Sequence, residues 1–202
     1  MKRAICSLAM LCVMAMPAAM LAQSKAAKSK PAEKKAAAPA AEKFTVTQLA
    51  DRAVTGIEKL FVNAADAMPE DKYDFVPTAG EFKGVRSFAG QVKHVAQTNF
   101  MIASALSGEK RPEGADDDAT LEKMTSKADI MKYLKDSYAA MHKAYATLNG
   151  KNLTEMIQSP FGKNKVARMS LAWSGVSHTN DHYGQMVEYL RMNGIIPPAS
   201  RG

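Results

Sequence analysis

Apolar residues recur at three- and four-residue spacing in four stretches of this chain, and this repeat limits the fold more than any other feature. The spacing places the apolar side chains on one face of an α-helix, and that face must be buried against other helices. The predicted helices cover residues 44–68, 87–106, 127–148 and 165–193. Because no region alternates for long with a period of two residues, we predict an all-α domain over residues 44–202, built as a four-helix bundle.

The same spacing assigns a buried face to each predicted helix. Gly194 should end the fourth helix, because glycine is favoured just past a helix C-terminus, and Ser126 should cap the third. An acidic loop over residues 113–118 should separate the second helix from the third. The predicted buried residues are Val46, Leu49, Ala53, Ile57, Leu60 and Ala64; Phe88, Val92, Val95, Asn99, Ile102 and Leu106; Ile130, Leu134, Tyr138, Met141, Tyr145 and Leu148; and Leu171, Gly175, Met186 and Tyr189.

Two segments precede the predicted domain. Residues 1–22 have the order of a secretory signal peptide, with Lys2 and Arg3, an uncharged apolar run and small residues up to Ala22. An uncleaved anchor helix is the alternative, which Pro17 and the short apolar run disfavour. Residues 23–43 have no large apolar side chain and are predicted to form a disordered Lys/Ala/Pro linker. We expect an exported protein, periplasmic or secreted, with no stable membrane insertion after signal cleavage.

The charge and the cysteines narrow the possible functions. Residues 1–43 carry eight Lys and Arg against two Glu, whereas residues 44–202 carry nineteen against eighteen acidic residues. The predicted domain is therefore nearly neutral, and we expect no nucleic-acid partner. Both cysteines, Cys6 and Cys12, lie in the predicted signal peptide, so metal ligands in the domain must be His, Asp or Glu.

Three of the four histidines fall on or beside the predicted buried faces. His178 and His182 are four residues apart, which stacks two imidazoles on one face of the fourth helix. His94 lies beside the apolar face of the second helix. We predict that these three bind one divalent metal ion; surface, capping or isolated core histidines are the alternative. His142 has no partner histidine at helical spacing and is predicted to be a surface or boundary residue.

The predicted ligand set also constrains the chemistry. Three histidines leave a coordination position open, which is typical of a catalytic rather than a structural metal site. Asp181 and Gln185 flank His182 and could orient a ligand ring, with plain helix solvation as the alternative for Asp181. Imidazole suits zinc, nickel, copper and iron, so the metal is not specified; we expect zinc, nickel or iron.

The segment from His178 to Pro198, HTNDHYGQMVEYLRMNGIIPP, resembles the last helix of the DinB family. Members of that family typically carry His-x-x-x-His-(Arg or Tyr)-Gly-Gln, then an apolar Tyr-Leu-Arg segment, Asn-Gly and Pro-Pro. Residues 88–96, FAGQVKHVA, resemble the first ligand helix of the family, and Met68-Pro69 also fits. The resemblance spans about residues 44–199.

The resemblance implies an up-down-down-up four-helix bundle, a divalent metal on His94, His178 and His182, and a homodimer. Related proteins include thiol S-transferases that use bacillithiol or mycothiol, and a mycothiol-dependent maleylpyruvate isomerase. Tyr183 stands where many members have Arg, which makes it a further candidate beside the ligands. The export signal is a second difference, because low-molecular-weight thiols are cytoplasmic.

Three functions remain open from the sequence. The chain could be a metal-dependent S-transferase or hydrolase that activates a thiol or water toward an unidentified small-molecule substrate. It could instead be a non-catalytic metal-binding or envelope-stress protein. A structural dimeric module with vestigial histidines is the third.

Overall fold

The computed structural model describes residues 43–202. The predicted signal peptide and the predicted linker, apart from Lys43, lie outside the described residues. Within residues 43–202, no helix is both long and apolar enough to cross a lipid bilayer. The elements are α1 Val46–Ala67, α2 Phe88–Ser107, α3 Asp118–Lys123, α4 Lys127–Tyr145, β1 Met156–Gln158, β2 Lys165–Ala167 and α5 Arg168–Met192, with 3₁₀ turns at Glu70–Lys72 and Pro198–Ser200.

Polar residues set the starting points of three long helices. The Thr45 side chain accepts a hydrogen bond from the backbone of Gln48, whose side chain accepts one from the backbone of Thr45 at 2.8 Å. This reciprocal capping box satisfies two donors that would otherwise lack partners. Ser87 caps α2 through Gly90, and Ser126 caps α4 as predicted.

The four long helices share one hydrophobic core. Both α1 and α2 pack against α4 and α5. The predicted buried faces of α2, α4 and α5 are confirmed, since every residue named for them is buried. These faces bring α2 and α5 side by side, which places the predicted ligand helices in contact.

The predicted face of α1 is wrong in part. Leu49 is 54% exposed and Ala53 is exposed, whereas Val54 and Phe61 are fully buried. Two neighbouring rows of α1 are both apolar, so helical spacing alone does not identify the row that enters the core. The other row is left on the surface.

Two local elements differ from the sequence prediction. Helix α5 begins at Arg168 rather than near Lys165, because Lys165–Ala167 pairs with Met156–Gln158 in an antiparallel ladder. Strands of three residues are too short to show alternation in a sequence. Helix α3 begins at Asp118, the last residue of the predicted acidic loop, and Asp117 caps it by accepting the backbone N–H of Thr120 at 3.0 Å.

Candidate metal centre

The backbone positions of the three histidines follow from the packing of α2 on α5. His94 lies in the second turn of α2, and His178 and His182 lie one turn apart near the middle of α5. Gly175, one turn before His178, leaves room for side chains that reach α5 from α4: a Cβ there would lie 2.8 Å from Met141 Cε. The histidine face of α5 is thereby held toward the interior.

The three imidazoles converge through their Nε2 atoms. Nε2 of His178 lies 3.2 Å from Nε2 of His94 and 3.1 Å from Nε2 of His182. One ligand atom from each of the three residues lies within 4.8 Å of the others. His182 is buried, and the other two are half-buried. The structure therefore brings together the three histidines that the sequence singled out.

The surroundings keep these imidazoles neutral. Burial lowers the pKa of His94 to about 4, with further contributions from the charge of Arg86 and from the other two histidines. Burial likewise lowers the pKa of His178 to about 4, and it lowers the pKa of His182. Neutral imidazole is the form that binds a metal ion, so the three rings have ligand character at neutral pH.

The hydrogen-bonding capacity of the three rings fits a shared cation. A neutral imidazole has one N–H and one lone pair, so one proton on Nε2 of His178 can serve only one of its two short contacts. The other short contact is then left without a hydrogen bond directed along it. Nitrogens about 2 Å from a common ion lie roughly 3 Å apart, which is the separation found here. The donor set thus fits one divalent ion such as zinc, nickel or iron.

A buried glutamine fixes the ring of His182. Nδ1 of His182 lies 2.6 Å from Oε1 of Gln91, a residue that is 1% exposed. Nε2 of Gln91 donates to Oε1 of Gln185 at 2.8 Å, and Nε2 of Gln185 donates to Oδ2 of Asp181 at 3.1 Å. Because the amide nitrogen of Gln91 is already engaged, its oxygen must accept from His182, and the Nε2 lone pair of His182 faces the other histidines.

The other residues predicted to surround the ligands have different positions. Gln185 and Asp181 reach His182 only through Gln91, which the sequence analysis did not identify. Tyr183 packs at the edge of the hydrophobic core and forms no hydrogen bond with the three histidines in the described structure. A signal for Gln91 was present, because it precedes His94 by three residues and therefore lies on a neighbouring face of α2.

His142 lies apart from this site and bridges two helices. Its Nδ1 is 2.6 Å from Oδ1 of Asp51 and its Nε2 is 2.8 Å from Oε2 of Glu58, both in α1. Burial disfavours its charged form, but the hydrogen bonds and charges of Glu58 and Asp51 outweigh this effect and raise the pKa of His142. The predicted boundary position is confirmed, since its side chain is 30% exposed.

An open cleft of about 310 Å³ lies between α2 and α3. His94 forms part of its wall, so the cleft joins one of the three histidines to solvent. The remaining lining residues are Arg86, Gly90, Lys93, Gln97, Asp118, Leu121 and Glu122.

A family model described as the DinB superfamily matches residues 53–186, a span that includes all three histidines. The chain belongs to the DinB superfamily. A comparison of this DinB chain with curated proteins gives no match.

Solved structures of DinB-like proteins share the fold. A DinB-like protein from Bacillus subtilis is 19% identical, with a TM-score of 0.55 over 72% of this chain and 92% of that one. One from Bacillus cereus is also 19% identical, with a TM-score of 0.57 over 73% and 92%. A conserved protein from Enterococcus faecalis is 18% identical, with a TM-score of 0.59 over 74% and 98%. At these identities the likeness extends to the fold of the DinB domain alone.

Proposed function

We propose that this chain is an exported DinB protein in which His94, His178 and His182 hold one divalent metal ion. The short Nε2–Nε2 distances of 3.2 and 3.1 Å carry the proposal, because one shared cation would satisfy the lone pairs of all three neutral rings. Membership of the DinB superfamily supports it, since the matched span includes these residues.

We further propose that the long helices form the up-down-down-up bundle that the family resemblance implies. The contacts of α2 with α4 and of α1 with α5 support this order. Residues 108–126, which precede α4, are numerous enough to return along the length of α2, so α4 can start in the same direction as α2.

A metal-dependent transferase or hydrolase is the activity that the site favours. A divalent ion bound by three histidines acts as a Lewis acid that makes a coordinated thiol or water more acidic. The cleft beside His94 supports an enzyme rather than a storage protein, because it gives a small-molecule substrate access to one of the three histidines. Within this proposal, Gln91 orients His182, and burial keeps the three rings neutral.

The decisive experiment measures the metal content of the full chain, purified without a histidine tag, by inductively coupled plasma mass spectrometry. We expect about one equivalent of metal in the wild type and almost none in a His178→Ala/His182→Ala variant. A His142→Ala variant is the matched control, because His142 lies apart from the site. If both proteins lack metal after reconstitution with zinc, nickel and iron, the chain is better explained as a structural dimeric module.

Activity assays on the metal-loaded protein then distinguish an enzyme from a storage protein. A panel of thiol acceptors and hydrolysable esters should reveal turnover that the His178→Ala/His182→Ala variant lacks. Stable metal without turnover across the panel would favour a non-catalytic metal-binding or envelope-stress role.

The proposal also covers export of the protein. The order of residues 1–22 supports cleavage after Ala22, so N-terminal sequencing of protein secreted by a bacterial host should begin at Gln23. Retention of residues 1–22 would favour an anchor instead.

We propose a homodimer whose interface is the exposed apolar groove between α1 and α5.

A further inference from the structure

Three residues spaced four apart line one side of the cleft. Two of them lie on one face of α2, and the third is the residue before its N-cap. Arg86, Gly90 and His94 follow one another at single-turn spacing. A Cβ at Gly90 would lie 3.2 Å from Cβ of Arg86 and 3.7 Å from its Cγ. The glycine therefore makes room for the stem of Arg86 between the helix and the cleft. The hydroxyl of Tyr189 donates to the backbone carbonyl of Arg86 at 3.0 Å and ties this position to α5.

The positive charge of Arg86 has no partner among the described residues. Its guanidinium forms no ion pair or hydrogen bond with residues 43–202, and the residue is exposed. Its charge is close enough to contribute to the lowered pKa of all three histidines. Lys93, the other cation of the cleft, is already hydrogen-bonded. Its Nζ donates to the carbonyls of Leu121 at 2.8 Å and Met124 at 3.2 Å, at the end of α3.

The wall contributed by α3 carries the opposite charge. Asp118 and Glu122 line the cleft, and neither forms an ion pair among the described residues. Gln97 reaches Oδ1 of Asp118 at 3.3 Å, which does not neutralise the carboxylate. Along α3 these two carboxylates face the single ammonium of Lys93, so the cleft is cationic beside His94, where Arg86 lies, and net acidic along α3.

We propose that this cleft binds a small amino carboxylate, with its carboxylate on Arg86 beside the histidine site and its ammonium group toward α3. A guanidinium matches a carboxylate with two parallel hydrogen bonds, which makes arginine a specific anchor for this group. The carboxylates of Asp118 and Glu122 disfavour a second carboxylate on the ligand and favour a cation. The inference names the substrate class of the proposed metal-dependent function and rests on that function.

Three ligands of similar length test the inference. The full chain, with and without one equivalent of zinc, is titrated with 5-aminopentanoate, pentanoate and glutarate, and binding is followed by chemical-shift changes in NMR spectra. We expect 5-aminopentanoate to bind most tightly and glutarate most weakly. Glu122→Gln should narrow the difference between these two ligands, because it removes one charge from the acidic wall. Glutarate binding more tightly than 5-aminopentanoate would overturn the inference.

Variants of Arg86 test the anchor itself. Arg86→Gln should weaken 5-aminopentanoate by about tenfold or more, because a hydrogen bond to a charged partner is lost. Arg86→Lys should give an intermediate affinity, and Arg191→Gln, which removes an arginine from a surface pair with Glu188, should have no effect. The metal content of Arg86→Gln should equal that of the wild type. Unchanged ligand affinity in Arg86→Gln refutes the anchor, whereas absence of metal from every variant refutes only the proposed metal function.

Discussion

Nδ1 of His182 donates a hydrogen bond to Oε1 of Gln91 over 2.6 Å, and this bond joins α5 to α2 beside the converging nitrogens. The Nδ1 atom of His178, in contrast, is buried without a partner in the described structure. Of the two α5 rings, only His182 therefore has its tautomer fixed by the protein. Polar partners of this kind set the orientation and basicity of metal ligands.

Loss of the Gln91 amide should weaken metal binding. We expect Gln91→Leu to lower the zinc affinity by about tenfold to a hundredfold, because the Nδ1–H of His182 loses the acceptor that it has in the described structure. Gln185→Leu should have a smaller effect and Asp181→Asn the smallest, since each lies one hydrogen bond farther from His182. Competition titrations against a chelator give the affinities.

A second measurement separates orientation from general destabilisation. In metal-free wild type, ¹⁵N shifts should show His182 protonated at Nδ1, whereas Gln91→Leu should mix the two tautomers. Gln97→Leu is the control on the same helix, because Gln97 hydrogen-bonds to Asp118 and not to a histidine. An unchanged tautomer together with unchanged zinc affinity in Gln91→Leu would contradict the assigned role.

The sequence predicted the three converging histidines better than the residue that orients one of them. His94, His178 and His182 could be grouped because histidines on buried helix faces need a shared explanation. Gln91 carries only the weaker signal of its spacing from His94, since a single polar residue on a helix is ordinary until its partner is known. Its contact with His182 spans ninety-one positions in the chain and exists only because α2 packs on α5.

The same holds for the fold. Sequence periodicity predicts some buried faces, and others depend on how the helices pack. The buried face of α4 was predictable because its apolar row lies opposite exposed polar residues, whereas the row named for α2 is buried in a helix with no exposed residue. Helix α1 has two apolar rows, and only packing against α4 and α5 decides that Val54 and Phe61 enter the core while Leu49 stays exposed. The short strands depend on pairing between separate segments, which local periodicity does not reveal.

Close packing at Gly175 should make it intolerant of a side chain. A Cβ there would lie 2.8 Å from Met141 Cε and 3.0 Å from the hydroxyl of Tyr145, which itself donates to the carbonyl of Ala172. Met141 can move, but Tyr145 is held by its hydrogen bond. We expect Gly175→Ala to lower the free energy of unfolding by about 1–3 kcal/mol in urea denaturation.

Gly184→Ala is the matched control for this prediction. Gly184 lies in the same helix, and a Cβ there would meet no atom within 4 Å. Alanine favours helix over glycine by about 1 kcal/mol, so this variant should be neutral or more stable. Equal effects of the two substitutions would mean that the side chains of Met141 and Tyr145 do not pack against Gly175 as closely as described.

His142 should make stability depend on pH. Glu58 and Asp51 raise its pKa above the unfolded value despite the opposing effect of burial. The charged form is therefore favoured in the folded state, and its stabilisation is complete below about pH 6.5 and disappears as pH rises through the folded pKa.

The variant His142→Gln isolates this contribution. It should lower the free energy of unfolding by about 1 kcal/mol near pH 6 and by much less near pH 9. The effect at pH 6 is small because solvent screens the partly exposed charge of His142. Lys143→Gln, at the exposed neighbouring position, should show no such pH dependence. A loss that is the same at both pH values would indicate packing rather than the charged bridge to Asp51 and Glu58.

The exposed apolar groove between α1 and α5 should control the proposed dimer. It encloses about 320 Å³, and its wall includes Trp173, 63% exposed, together with Leu49 and Met169. Trp173→Glu would place a charge in this apolar surface, so we expect the dimer dissociation constant to rise by about a hundredfold. Sedimentation velocity over a range of protein concentrations measures it. Phe161→Glu is the control, because Phe161 is similarly exposed but lies outside the groove, between β1 and β2. A monomeric wild type at every concentration, or a dimer that Trp173→Glu leaves intact, would remove the groove as the interface.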